Sequence, residues 1–179
     1  MTRPLTRSLL AAAAAVTIAL TLAGCGSDEE EAPAGSAGST PTPTATPTPD
    51  PTDLSVKPVV AKPAGDPPDD LVERDIVKGE GRAARPGDQV TVQYVGVSYS
   101  TGEQFDASWD SGQAFPFELG AGNVIEGWDQ GVRGMRVGGR RELIIPPDKA
   151  YGDTGSPPAI APGETLIFVV DVVDIQPGP

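Results

Sequence analysis

The chain contains no histidine and only one cysteine, Cys25. Without histidine there is no Ser-His or Cys-His nucleophile pair, and with one thiol the usual zinc ligand sets are excluded as well. Any catalysis here must therefore do without the side chain that most often serves as general base near pH 7. Basic residues are also scarce, with 13 Lys and Arg against 25 Asp and Glu and a formal charge of −12. No basic cluster exceeds the Arg140-Arg141 pair. Nucleic acid and anionic membrane surfaces both require basic patches, so neither is expected as a partner. Much of the Pro and Gly content, 20 and 22 residues in a chain of 179, sits in low-complexity sequence. That leaves room for one modest folded domain.

The first such segment reads as an export signal. Arg3 and Arg7 precede an uncharged, Ala- and Leu-rich run from Leu9 to Ala23, which ends in Leu22-Ala23-Gly24-Cys25. The run is short for a bilayer span, which needs roughly 20 apolar residues, and its basic start and small-residue end suit a cleavable leader. The Cys25 thiol is then expected to accept a diacylglyceryl group and further palmitate-type acylation. Cleavage before Cys25 would take the formal charge from −12 to −14 by removing the two arginines. The pattern resembles bacterial lipoproteins, and the Ala, Gly, Pro and Thr content suits a high-GC bacterium. A lipid-anchored, extracytoplasmic location follows as the expectation.

Residues 25 to 70 form the expected tether. An acidic run, Asp28 to Glu31, is followed by alternating Thr and Pro up to Pro49, a composition that cannot bury a core and favours a disordered or polyproline II stalk. Between Leu54 and Ala61 a few valines return (Val56, Val59, Val60), read either as an added strand or as more tether.

From Leu71 to Pro179 the pattern changes to short alternating segments separated by turns. Strands are predicted at Leu71 to Lys78, around Val90, Val92 and Tyr94, from Gln104, from Phe115 to Leu119, from Arg140 to Ile145 and from Thr165 to Ile175. Between the fourth and fifth lies Gly120 to Asp129, about which this domain is organised. Gly120 and Gly122 allow a tight turn, and Ile125, Trp128 and Val132 then recur at helical spacing. Gly127 and Gly131 strip one side of that short helix, so a neighbour can approach closely. The expected fold class is α+β, with five or six antiparallel strands wrapped around one short helix.

Seven motifs in one order then point to a family. Tyr94-Val95-Gly96, Phe105-Asp106-Ala107-Ser108, Phe115-Pro116-Phe117, Val124-Ile125-Glu126-Gly127-Trp128, Arg141 to Pro146, Ala150-Tyr151-Gly152 and Thr165 to Phe168 closely resemble the FKBP-type peptidyl-prolyl cis-trans isomerases. The resemblance implies a pocket of Tyr94, Phe105, Asp106, Phe115, Val124, Ile125, Trp128, Tyr151, Ile160 and Phe168, with Trp128 as its floor. It implies that the Ile125 amide and the Tyr151 hydroxyl hold substrate carbonyls and that Asp106 orients the substrate or tunes the site. No cofactor and no metal are implied. The implied partners are proline-containing exported polypeptides and rapamycin-like macrolides, and the chain is expected to act as a monomer. Ser111 stands where many members carry a basic residue, and Ser156 where some carry histidine at the tip of the flap Thr154 to Pro162. Without the family pattern, Tyr94 and Phe168 could also be read as core residues and Asp106 as a turn cap, the less favoured reading of each. A non-catalytic module that holds proline loops in the same pocket is the alternative to an isomerase.

Overall fold

The computed structural model describes residues 50–178. Six antiparallel strands form a single sheet: β1 (Val72–Val77), β2 (Gln89–Ser98), β3 (Gln104–Ala107), β4 (Phe115–Glu118), β5 (Arg140–Ile145) and β6 (Leu166–Gln176). Two short helices, α1 (Ser108–Ser111) and α2 (Glu126–Gly131), lie between β3 and β4 and between β4 and β5. The sheet order is β1-β5-β6-β2-β3, with β4 also pairing with β2. This is the α+β arrangement expected from the sequence.

Side-chain alternation explains why β2 and β6 sit at the centre. In β2, Val90, Val92 and Tyr94 face the helix and join the main core, while Val95 and Val97 belong to a second apolar cluster on the outer face. In β6, Leu166, Phe168, Val170 and Val172 face the same main core, and Ile167 joins the outer cluster. Central strands apolar on both faces need cover on both faces. On the inner side α2 supplies it. A Cβ placed on Gly127 would lie 2.3 Å from Ile145 Cγ2, and one on Gly131 would lie 2.6 Å from Leu143 Cδ2. The glycine side of the helix is thus where β5 packs, and Trp128 is turned into the core, 4% exposed. The loop that leads into the helix is held by Asp129, whose carboxylate accepts from the amides of Gly120 (2.8 Å) and Gly122 (3.0 Å). Both glycines have positive φ, 82° and 71°, a conformation other residues adopt at a steric cost.

Cover on the outer side comes from residues 50–70, the stretch read above as the end of the tether. Val60 packs against the cluster of Val95, Val97, Tyr99, Ala107 and Ile167, together with Trp109 and Ile144. Tyr99 donates its hydroxyl to Asp66 O at 3.0 Å, Lys62 Nζ reaches Ser100 O at 2.5 Å, and Lys57 pairs with Asp110. Arg140, fully buried, makes a two-pronged pair with Asp171 (2.5 and 2.7 Å) and donates to the carbonyls of Pro51 (2.8 Å) and Val56 (3.1 Å). Residues 50–70 are therefore a strap on the sheet, and the folded part begins well before Leu71. No strand forms between Leu54 and Ala61, because Pro58 interrupts any ladder and Val56 and Val59 face outward, 39% and 68% exposed. The expected leader, Cys25 and the Thr-Pro tract fall outside the described residues.

Two stability outcomes follow. A chain starting at Leu71 should unfold at lower urea than one starting at Asp50, by about 2 kcal/mol, because apolar cover and two acceptors for Arg140 are removed; equal midpoints would mean that the strap adds nothing. Gly127→Ala should cost about 1–3 kcal/mol through overpacking against Ile145, read as a fall in Tm.

Candidate active site

The indole of Trp128 is the floor of a cavity of about 290 Å³. Four aromatic rings crowd it. Its centroid lies 5.1 Å from Tyr94, 5.2 Å from Phe168, 5.6 Å from Phe117 and 6.2 Å from Phe115, in edge-on or tilted arrangements. Phe105 meets Phe168 edge-on at 5.5 Å. These are the geometries that aromatic quadrupoles favour, and they give the cavity rigid apolar walls. Gly96 makes one of the contacts possible: a Cβ there would sit 2.7 Å from both Phe105 Cζ and Phe168 Cε1. A glycine inside a strand commonly marks such a close approach, and at Gly96 it admits two rings.

Polar side chains share the lining: Tyr94, Asp106, Asn123 and Tyr151. Tyr94 donates its hydroxyl to Asp106 Oδ2 at 2.6 Å. Partial burial, reinforced by that carboxylate, holds the Tyr94 phenol far above its usual range, so it remains a donor across all physiological pH. The Tyr94 amide is taken up by Ser108 Oγ at 2.8 Å, which ties α1 to the same strand. Tyr151 lies in the loop between two 3-10 turns, Pro147–Lys149 and Gly152–Thr154, and is 42% exposed. Neither its hydroxyl nor the Ile125 amide has a protein hydrogen-bond partner among the described residues. Both are available to a ligand. The Trp128 Nε1–H is likewise buried without an acceptor among the described residues.

Of the residues expected at the site, Tyr94, Phe105, Asp106, Phe115, Val124, Ile125, Trp128, Tyr151 and Phe168 line this one cavity. Ile160 does not. It is 4% exposed and packs in the main core, while its backbone exchanges two hydrogen bonds with Ser156 (2.9 and 3.0 Å) to close the flap. An apolar residue at the root of a turn is drawn inward by burial, whatever its neighbours do. Asn123 also lines the cavity and escaped the sequence reading, since a lone amide in a glycine-rich turn reads as turn chemistry. Ser111 gives its hydroxyl to Ser108 O at 2.9 Å, and among the described residues no Lys or Arg forms an ion pair with Asp106. No group of potential metal ligands gathers among the described residues.

Residues 80–173 match the family model described as FKBP-type peptidyl-prolyl cis-trans isomerase. The chain is 61% identical over 120 residues to an FK506-binding protein of Streptomyces anulatus, an alignment covering 66% of this chain and 97% of that one. It is 51% identical over 117 residues to a probable FK506-binding protein of Corynebacterium glutamicum, covering 65% and 97%. Among solved structures it resembles FkpA from Escherichia coli, with a TM-score of 0.56 and 38% identity over 61% of this chain and 49% of the other. With nine of the ten expected pocket residues around one aromatic cavity, the fold and these matches agree: the chain belongs to the FKBP-type peptidyl-prolyl cis-trans isomerase family.

Proposed function

We propose that the cavity over Trp128 receives the proline of an exported polypeptide and speeds rotation about the X-Pro bond by favouring the twisted amide. The barrier, about 18–20 kcal/mol, reflects amide resonance, which places charge on oxygen and nitrogen in the planar form. Twisting removes that charge separation. An apolar, water-poor site therefore stabilises the transition state more than the ground state, which is what catalysis requires. The observation that carries this reading is the edge-on aromatic set of Tyr94, Phe105, Phe115, Trp128 and Phe168 around one cavity. Within it the Ile125 amide and the Tyr151 hydroxyl hold carbonyls on either side of the rotating bond, at no cost in broken protein bonds. Asp106 fixes the Tyr94 hydroxyl by accepting its proton in a hydrogen bond. Nothing in this scheme moves a proton to or from the substrate, so the lack of histidine is no obstacle.

The location belongs to the same proposal. The leader ending at Cys25 and the acyl groups it invites would anchor the protein on the outer face of the membrane of a high-GC bacterium. Because the strap takes residues 50–70 onto the domain, about two dozen residues remain between Cys25 and the folded part, a reach of at most roughly 75 Å. Its clients would be proline-containing chains folding close to the membrane, and rapamycin-like macrolides would compete for the pocket of what acts as a monomer.

The decisive experiment is prolyl isomerisation of an Ala-Leu-Pro-Phe peptide without a coupled protease. Trp128→Ala should reduce kcat/KM by about tenfold or more and Tyr151→Phe by about tenfold, each equivalent to roughly 1.4 kcal/mol or more. Rapamycin should block turnover. The rate should be flat between pH 6 and 9, since Tyr94 keeps its proton throughout; a bell-shaped profile would point to acid-base chemistry instead. Macrolide binding without turnover would leave a module that only holds proline loops. Cys25→Ala should move the protein from the membrane fraction to the medium, and unchanged membrane retention would remove the lipid anchor from the proposal.

A further inference from the structure

A second cavity, of about 330 Å³, adjoins the first and shares Tyr94, Asp106 and Phe115 with it. The remaining wall comes from the end of β3, the start of α1 and the loop from Ser111 to Pro116. Among the described residues, Asp106 is the only charged one lining this space. Several carboxylates of the sheet have cations, as Glu73 and Asp75 share Arg141, Asp88 has Arg82 and Asp171 has Arg140, whereas Glu118 and Asp174 have none among the described residues, but neither of those lines this cavity. The next carboxylate in sequence, Asp110, is taken by Lys57 and by the Gln104 amide. Asp106 has only the neutral Tyr94 hydroxyl, at 2.6 Å. A carboxylate facing two joined cavities thus keeps an uncompensated charge at the edge of the proline site.

The neighbouring side chains fit a long cation. Tyr94 and Phe115 line it with aromatic rings, which attract cations, and Phe115 with Pro116 offers apolar surface for a methylene stem. Ser111 is exposed, and its hydroxyl is turned back to Ser108 O, so the small side chain leaves the space open. An extended peptide advances about 3.3–3.6 Å per residue. A side chain entering this cavity would therefore belong to a residue next to the proline or one further away.

We propose that this cavity is a subsite for a lysine or arginine side chain of the substrate, within two residues of the proline, with Asp106 as its counter-ion and Ser111 as the residue that keeps it open. The inference rests on the isomerase reading above and adds the class of sequence preferred. A partly exposed pair of this kind contributes up to about 1 kcal/mol, a preference of roughly fivefold.

The test is kcat/KM of the full-length chain for peptides carrying Lys, Gln or Glu at each of the two positions on either side of the proline, at low and high salt. One position should favour Lys over Gln about fivefold and disfavour Glu, and the preference should shrink with salt. In Ser111→Arg, where the protein supplies its own cation, and in Asp106→Asn, the Lys-to-Gln ratio at that position should fall to about one. The ratio is taken within each variant, so a general loss of activity does not imitate the result. Turnover of all peptides with equal rates would overturn the subsite while leaving the isomerase reading intact. A Lys preference that survives both substitutions would assign it to the overall negative charge and overturn the subsite as well. No turnover of any peptide would strike the isomerase reading itself.

Discussion

The close approach of α2 to β5 is the contact on which the cavity depends. Gly127 and Gly131 bring the helix axis so near the sheet that any Cβ would collide with Ile145 or Leu143. That proximity sets the height of Trp128, whose indole then meets Tyr94 and Phe168 at about the separation edge-on rings prefer. Raising the helix by the thickness of a methyl group would open gaps beneath the indole, and interiors tolerate such gaps poorly. The glycines cost helix propensity, roughly 1 kcal/mol each. That loss is offset by burial of the largest aromatic side chain in a position where it is both core and site.

A similar economy appears across the sheet. Gly96 in β2 leaves room for Phe105 and Phe168 to meet over the strand, so the cavity wall is continuous although its rings come from β3 and β6. Asp129 holds the loop that carries Val124 and Ile125 by gathering two amides. These restraints act on backbone and rings, not on a reactive side chain. The site accordingly has as its fixed features a shape and a set of aromatic walls.

On the opposite face, charge is handled by burial. Arg140 and Asp171 face each other across β5 and β6 and are closed in by the strap. Desolvation raises the Asp171 carboxyl, opposed by the guanidinium beside it, and a buried pair of this kind is tolerable only when its remaining donors are satisfied. Pro51 and Val56 supply those acceptors through their carbonyls. The strap thereby converts a liability of the sheet into a fixed contact, and Lys57 extends that contact to α1, next to the Asp106 cavity.

The alternation of Val90, Val92 and Tyr94, the bare side of the helix and the order of aromatic motifs were all legible from residue types, because each is governed by local periodicity or by a glycine that only a close neighbour explains. The pocket positions came from the family resemblance alone, and nine of those ten residues line one cavity. What lay beyond reading were features that depend on distant partners. The strap looks like tether by composition, since its polar and proline residues bury nothing by themselves; it is held by bonds from Arg140 to residues 89 and 84 positions earlier. Ile160, expected at the pocket, is buried in the main core, while Asn123, for which nothing was expected, lines the cavity beside the positive-φ turn at Gly122. Local sequence determined which surfaces were apolar and where the chain could turn, whereas the packing of remote segments decided which of those surfaces were left open.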